Sequence, residues 1–312
     1  MEWDLAHLRA LDAVVSHGTF DAAARALHVT PSAVSQRIKA LEAQAGRVLV
    51  RRSKPVTATE DGRELLRLAR QVTLLVAEAE AALGGPASGT GTGTTARDRP
   101  APRVVLPVAV NADSLATWAV PALAGLGDGV SVDVRREDQD HSVELLRDGE
   151  VVAAITTQAR PVQGCTVTTL GAMRYLPVAS PTFARRWFGS RTAPDVSPDA
   201  LAAAPVVVYD RKDDLQDRYL RRRTRRPLAP PRHHVPGSTA FALAVRLGLG
   251  WGMLPEQQAD ELVGRGDLVV LDHDGADDVL LHWQRWRLRS AALDALAASV
   301  REAAARSLRP AG

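Results

Sequence analysis

Hydrophobic residues recur at helical spacing through most of the first 83 positions, and strand patterns are nearly absent there. The pattern predicts a helix from about Leu5 to Ser16 and a second, short helix over Asp21–Leu27. A third helix is predicted to begin at Thr30 and Pro31, because threonine caps free backbone amides and proline suits the first helical position. The chain therefore opens with a small helical unit.

The pattern changes abruptly at residue 84. The segment 84–102 is dominated by Gly, Ser, Thr and Pro and has no hydrophobic period, which predicts a flexible linker and a domain boundary. Beyond it, candidate strands alternate with candidate helices, which predicts a mainly parallel sheet with covering helices. The predicted strands are Val104–Val110, Val130–Arg135, Val151–Thr156, Tyr175–Ala179, Val206–Tyr209 and Val279–Arg285, with a short one ending at Leu254-Pro255. The predicted helices are Leu115–Ala124, Val143–Asp148, Ala240–Leu247 and Ala291–Arg306.

The third predicted helix has two different faces. Its hydrophobic residues, at spacings of four, three and four, predict a buried side; they are Val34, Ile38, Leu41 and Ala45. The other side carries hydroxyl, amide and cationic groups near the helix start, as readout of a DNA major groove requires. A basic segment, Arg51-Arg52-Ser53-Lys54-Pro55, follows in a predicted two-stranded wing and would lie over the phosphate backbone. The candidate DNA-contacting residues are Thr30, Pro31, Ser32, Ser35, Gln36, Arg37, Lys39, Arg51, Arg52 and Lys54. The alternative is a solvated helix face followed by a solvated run of charges.

The overall composition adds little to this picture, whereas the distribution of charge does. The formal net charge is only +3, from 39 basic and 36 acidic residues. Residues 1–56 carry eight Arg or Lys against five Asp or Glu, a local excess of three. Cys165 is the only cysteine, so no intramolecular disulfide can form. The N-terminus lacks the apolar run of a secretory signal and no stretch of about 18 apolar residues occurs, so we expect a soluble, cytoplasmic protein that does not enter a membrane.

A longer helical pattern begins near Thr59. Hydrophobic residues repeat there every three or four positions, which predicts a seam for pairing with a second helix. They are Leu65, Leu68, Val72, Leu75, Ala79 and Ala82, of which the first four are the candidate dimerisation residues. The alternative is a helix that packs on its own domain.

These motifs together resemble a known family. The N-terminal domain of LysR-type transcription regulators is similar to the segment FDAAARALHVTPSAVSQRIKALEAQAGRVLVRRSKPVTATEDG. The similarity includes the pattern Thr59-x-x-Gly62. The second half resembles the arginine/lysine-responsive branch of that family, the ArgP/LysG type. The segments that carry this second resemblance are Val108–Leu123, Leu145–Gln158, Leu170–Ser180, Ala204–Asp214 and Ser238-x-x-Phe241. The length of the segment 84–102 and the six arginines of Arg218–Arg226 depart from that branch.

The resemblance implies an α+β multi-domain architecture. It places a winged helix-turn-helix at residues 1–58, a dimerising linker helix at 59–83 and the flexible linker at 84–102. Residues 103–312 would form a ligand-sensing α/β domain of two periplasmic-binding-protein-like subdomains. Subdomain I would span about 103–174 and 272–312, and subdomain II about 175–271.

Polar residues at the predicted strand ends suggest a binding site for an amino acid. Asn111, Asp113 and Ser114 open a helix, where free amides attract an α-carboxylate, although Asp113 would repel a carboxylate and attract an ammonium group. Asp138 and Asp210 follow strands and would hold a cationic side chain. The candidate ligand-binding residues are Asn111, Asp113, Ser114, Asp138, Asp210 and Ser238. The alternative is that they are helix caps and turn residues.

An arginine-rich segment and a pair of histidines are predicted to lie outside this binding site. Arg218–Arg226 is interpreted as a solvated or loop segment, because its charge would repel a cationic ligand. His233 and His234 are interpreted as solvated loop residues, since they have no cysteine partners for a metal. We therefore expect no metal and no cofactor.

The resemblance implies a DNA-binding transcription regulator rather than an enzyme. Its expected effector is L-lysine or L-arginine, and its partners would be double-stranded DNA, further copies of itself in a homodimer or homotetramer, and RNA polymerase. The expected target is a transport or amino acid metabolism gene, such as one for a lysine exporter. The alternatives are a different small metabolite, a ligand-independent architectural DNA-binding protein, and an α/β enzyme with an added DNA-binding domain.

Overall fold

The N-terminal domain is a three-helix unit with a wing. The computed structural model describes residues 2–83, 104–136, 139–224 and 227–311, with only the backbone of 139–141, so the predicted linker 84–102 lies outside the described residues. The elements are α1 (Leu5–His17), α2 (Phe20–Ala26), α3 (Pro31–Ala45) and the antiparallel strands β1 (Val50–Arg51) and β2 (Thr57–Ala58). The side chains of Asp4, Thr19 and Thr30 accept hydrogen bonds from the first turns of the three helices. The predicted capped start of α3 is therefore confirmed.

Helix α4 (Glu60–Leu83) joins the two domains and packs on both. Leu66 and Ala69 are buried in the N-terminal core, whereas Leu74 is buried in the core of the C-terminal domain. The helix starts against the wing, where a Cβ atom on Gly62 would lie 1.9 Å from the carbonyl oxygen of Leu49. This close approach is the physical reason for glycine at that position.

Eleven strands are present in the described ranges, nine of them in the C-terminal domain. Those nine are β3 (Val104–Val110), β4 (Val130–Arg136), β5 (Ala153–Thr156), β6 (Cys165–Ala179), β7 (Val206–Val208), β8 (Arg232–His234), β9 (Gly252–Pro255), β10 (Val269–Val270) and β11 (Asp277–Trp286). The main sheet has the order β10-β6-β11-β5-β3-β4, with β9 also paired to β6, and β7 pairs with β8 in a small parallel sheet.

The main sheet is mixed, so the prediction of a mainly parallel sheet is wrong. Strands β4, β3 and β5 are parallel, but β11 runs antiparallel to both β5 and β6, and β9 and β10 run antiparallel to β6. The sequence pattern missed the first ten residues of β6, which pair with β11 from Cys165 onward. Gly171, with φ of +136°, interrupts the hydrophobic pattern at the point where the pairing register shifts.

Helices cover both halves of the C-terminal domain. They are α5 (Ala112–Ser114), which continues through a π-helical turn (Leu115–Ala119) into α6 (Val120–Ala124), then α7 (Gln139–Arg147), α8 (Pro181–Phe188), α9 (Pro198–Ala203), α10 (Leu215–Arg223), α11 (Ser238–Arg246), α12 (Glu256–Gly264) and α13 (Ala291–Ser307). A second hydrophobic core, separate from the main one, includes Val207, Phe241 and Leu254. The domain thus has two packed halves, and the long strands β6 and β11 link them.

Candidate functional site

The first candidate surface is the polar face of α3. The predicted hydrophobic face is fully buried at Val34, Ile38 and Leu41, as the spacing indicated. Of the candidate DNA-contacting residues in this region, Thr30, Pro31, Ser32, Gln36 and Lys39 are exposed, and Ser35 and Arg37 are half-buried. A free polar face on a capped helix of 15 residues has the length and chemistry to enter a major groove.

The wing places cations beside this helix. Arg51, Arg52 and Lys54 are all exposed. The guanidinium of Arg52 lies 5.4 Å from the centre of the Phe20 ring, a cation–π contact that limits the positions it can take. Three cations at one edge of the domain supply the sequence-independent attraction that phosphate binding needs.

The second candidate site is an open cleft of about 620 Å³ between the two halves of the C-terminal domain. Residues that follow β3, β5 and β7 line it, together with parts of β6, β9 and β11 and the first turns of α10 and α11. Ligands in α/β proteins bind at such strand ends. The volume fits a small metabolite.

The structure brings four of the six predicted ligand-binding residues together in this cleft. They are Asn111, Asp113, Asp210 and Ser238. Ser114 does not line the cleft, and it is fully buried. Asp138 lies outside the described residues.

Helix capping does not account for Asn111. It precedes α5, but its side chain makes no capping hydrogen bond, and its buried Oδ1 has no hydrogen-bond partner among the described residues. Asp210, by contrast, does serve as a turn residue, because its Oδ1 accepts from the backbone N–H groups of Lys212 and Asp213 at 2.7 and 3.0 Å. Asp210 therefore combines a turn role with a position in the cleft.

Asp113 is the most constrained acid of the cleft. The hydroxyl of Tyr175 donates to its Oδ2 at 2.8 Å, and the hydroxyl of Ser238, which accepts from Gln258 at 3.1 Å, lies nearby. Desolvation by the surrounding protein raises the pKa of the Asp113 carboxyl, and the neighbouring hydroxyls of Ser238 and Tyr175 oppose that rise. The helix start at Asn111 thus already faces a carboxylate of the chain itself, which favours a cationic group of a ligand there.

The cleft also contains an acidic group that the sequence prediction missed. Asp213 accepts from the backbone N–H groups of Tyr209 and Leu215, and burial raises its pKa. Besides Asp113 and Asp213, the acids that line the cleft are Asp210, Asp214, Asp277 and Asp278. The run Asp210-Arg-Lys-Asp-Asp214 directly after a buried strand was the signal available in the sequence.

Some of these acids are neutralised within the protein. Asp278 forms two hydrogen bonds of 2.8 Å with Arg174, which hold the pKa of its carboxyl below the usual value. Among the described residues, no Lys or Arg forms an ion pair with Asp113, Asp210 or Asp213. Within the described part of the chain, these three acids thus have no cationic partner, which suits a cationic ligand.

The assignment of the arginine run outside the pocket is wrong. Residues up to Arg223 belong to α10, and Arg218 lines the cleft. Its Nε donates to Asp277 at 2.8 Å and its Nη1 to Asp214 at 2.7 Å. The charge argument failed because acids that are distant in sequence compensate the arginines. Arg225 and Arg226 lie outside the described residues.

The described ranges contain neither a metal-binding cluster nor a membrane-spanning helix. No group of three or more His, Cys, Asp or Glu side chains that could hold a metal ion occurs there. Within the same ranges, no helix is long and apolar enough to cross a membrane.

Comparison with known proteins identifies both domains. Residues 5–63 match the family model described as bacterial regulatory helix-turn-helix protein, lysR family, and residues 97–305 match the one described as LysR substrate binding domain. The chain is 43% identical over 306 residues to the lysine export transcriptional regulatory protein LysG of Corynebacterium efficiens, covering 97% of this chain and 98% of that protein.

Two solved structures are similar over nearly the whole chain. The crystal structure of ArgP from Mycobacterium tuberculosis has a TM-score of 0.86 and 46% identity, covering 99% of this chain and 100% of that one. Full-length LysG from Corynebacterium glutamicum with bound effector Arg has a TM-score of 0.76 and 39% identity, with the same coverage.

Proposed function

The chain belongs to the LysR family of bacterial transcription regulators, and on that premise we propose that it senses a basic amino acid, L-arginine or L-lysine, in the cleft of its C-terminal domain. The observation that carries this proposal is the set of acids in the cleft that have no cationic partner among the described residues, above all Asp113. The arginine bound to the LysG structure, and the lysine export named for the other relative, agree with this ligand chemistry. The proposed target is a transport or amino acid metabolism gene, such as one for a lysine exporter.

The proposed contacts pair each cationic group of the ligand with acids that line the cleft. The α-ammonium group would pair with Asp113, and the cationic side chain with Asp210 and Asp213. Asn111 and Ser238 would contribute polar contacts from the two sides of the cleft. Ser114 is fully buried and would act only by supporting the helix start, whereas the proposed ligand contact of Asp138, which lies outside the described residues, stays a prediction.

Double-stranded DNA is the proposed partner of the N-terminal domain. Ser32, Ser35, Gln36 and Lys39 would meet base edges or phosphates from α3, with the wing cations on the backbone. Pairing through α4 would present two copies of α3 to a roughly palindromic operator, as a dimer or a dimer of dimers. RNA polymerase is a further proposed contact of the DNA-bound regulator.

The proposed switch is a population shift. A ligand that binds residues of both halves favours one relative placement of those halves. Because α4 packs against the C-terminal domain, that placement would alter the spacing of the two DNA-binding domains in the dimer. The spacing and bend of the bound DNA would change in turn.

Thermal unfolding of the full-length protein against each of the twenty amino acids tests the ligand. We expect arginine or lysine to raise the melting temperature, since a ligand specific for the folded state stabilises it. A ligand present at about 100 times its dissociation constant adds about 2.7 kcal/mol. Footprints of the DNA upstream of its own gene, with and without that amino acid, test the regulatory output. If none of the twenty raises the melting temperature, the proposed amino acid effector is wrong.

A further inference from the structure

Arg218 requires explanation, because it brings a positive charge into a cleft proposed to bind a cation. Its guanidinium is held from two sides, by Asp277 at 2.8 Å and by Asp214 at 2.7 Å. Arg222 also donates to Asp277, at 2.5 Å, so this largely buried carboxylate is shared by two arginines. Arg218 is thereby fixed in the cleft wall.

The two aspartates do not exhaust the hydrogen-bonding capacity of Arg218. A guanidinium carries five N–H donors in a planar fork, and the two bonds engage only Nε and Nη1. The side chain is 36% exposed and lines the cleft. A ligand in the cleft can therefore reach the remaining donors.

Arg218 and Asp113 are connected through two residues that face each other across a strand pair. Tyr175 donates to Asp113 at 2.8 Å, and on the neighbouring strand Tyr175 lies directly opposite Asp277, which holds Arg218. Residues opposite one another on antiparallel strands are about 5 Å apart. Asp113 and Arg218 are thus each bonded to one of two residues that are neighbours across this strand pair, and both line the cleft, which places an anion-binding and a cation-binding group in one binding site.

The pKa of Tyr175 responds to both of these charged groups. The pKa of its hydroxyl is raised well above the usual value, first by burial and next by the charge of Asp113, while the positive charge of Arg218 lowers it. The Tyr175 hydroxyl is therefore within electrostatic range of both groups.

From this arrangement we propose that Arg218 binds the α-carboxylate of the effector and so makes the cleft selective for amino acids over amines that lack a carboxylate. The proposal rests on the proposed amino acid function and deepens it. Asp113 would hold the adjacent α-ammonium, which leaves Asp210 and Asp213 for the cationic side chain. The sequence pattern placed the α-carboxylate of the ligand at the helix start after Asn111. The Asp113 carboxylate lies at that helix start and would repel the α-carboxylate of a ligand there.

The test compares L-arginine with L-argininamide, which keeps both cationic groups but has no carboxylate. Binding of each to the full-length protein is measured by calorimetry. Loss of a charged hydrogen-bonding partner in a binding site costs 2 kcal/mol or more, which is about 30-fold in affinity. We expect the natural protein to bind arginine about 30-fold more tightly than argininamide, and Arg218→Gln to lose most of that difference by weakening arginine alone.

The matched control is Arg222→Gln, on the same helix and bonded to the same Asp277 but not in the cleft lining. It should keep the arginine-to-argininamide ratio, and Arg218→Lys should restore part of it. Equal affinity of the natural protein for both ligands would overturn the proposal even if Arg218→Gln failed to fold. A ratio that Arg218→Gln leaves unchanged, or tighter binding of both ligands to that variant, would also overturn it. If no basic amino acid binds at all, the proposed function fails instead.

Discussion

Asp113 combines a cost in stability with a role in binding. Its carboxyl has a raised pKa in the folded protein, chiefly because the surrounding protein desolvates it. A raised carboxyl pKa means that the folded state takes up a proton more readily than the unfolded state. Above its folded-state pKa the carboxyl is ionised in the folded protein, and this burial of a charge lowers the free energy of unfolding. As the pH falls through that pKa, the carboxyl takes up a proton and the loss of stability disappears.

We predict that Asp113→Asn stabilises the free protein and weakens effector binding. Its melting temperature should exceed that of the natural protein at about pH 7.5, and the difference should shrink toward about pH 4. Arginine affinity should fall about 30-fold, because the α-ammonium loses its charged partner. Thermal unfolding across this pH range and calorimetry measure the two effects.

The matched control is Asp128→Asn, at an exposed aspartate that does not line the cleft. It should not raise the melting temperature at about pH 7.5, and it should leave the arginine affinity unchanged. Unchanged arginine affinity in Asp113→Asn would remove Asp113 from the binding site.

At the scale of elements, α4 has one face covered by its own chain and another left open. Leu66, Ala69 and Leu74 are buried within the chain. Of the candidate dimerisation residues, Leu65 packs on the N-terminal core, Leu68 and Val72 are half-buried, and Leu75 is 39% exposed. Packing on its own chain is thus shown for one face of the helix, while the pairing seam stays a prediction for the more exposed face.

We predict that Leu75→Glu disrupts self-association, because it places a charge in the seam proposed to pair with a second α4. Light scattering after size-exclusion chromatography should show a loss of dimer at micromolar concentration. Thr73→Glu is the control, since Thr73 is exposed on the same helix but is not part of the hydrophobic repeat. The seam would be wrongly placed if both variants remained dimeric.

Elements governed by local chemistry were predictable from the sequence. The cap at Thr30 and the buried face of α3 depend on contacts within a few residues, and both are present. The first part of β6 was missed because its pairing with β11 involves residues more than 100 positions away, across the irregularity near Gly171. Helix α10 was missed for a similar reason, since its arginines are compensated by Asp272 and Asp277 on a distant segment.

The cleft was predictable only in part. Asn111, Asp113, Asp210 and Ser238 were identified because strand ends and helix starts can be recognised locally. The roles of Tyr175 and Arg218 depend on the register of β6 against β11, which brings Tyr175 opposite Asp277. Strand register is a long-range property that no short segment of this chain encodes.

At the scale of the whole molecule, Arg70 connects three parts of the chain. From α4, its Nε donates to Asp12 of α1 at 2.8 Å and its Nη2 to the hydroxyl of Ser16 at 3.1 Å. Its Nη1 donates to the carbonyl of Asp148, at the turn between α7 and β5, at 3.4 Å. Strand β5 leads from this turn to Thr157 in the cleft wall. A shift of that turn on ligand binding would therefore act directly on the DNA-binding domain.

We predict that Arg70→Gln uncouples the two functions without abolishing either. Arginine affinity and DNA affinity in the absence of effector should each remain within about threefold of the natural values, whereas the change that arginine produces in the DNA footprint should be lost or strongly reduced. Asp12→Asn removes the charged acceptor on the DNA-binding side of the same contact and should have the same effect. Arg265→Gln is the control, because that exposed arginine, directly after α12, forms an ion pair only with Glu261 of α12 among the described residues. A full arginine response in Arg70→Gln would show that the signal reaches the DNA-binding domain by another route, through the dimer or through contacts such as that of Glu78 with Ser290.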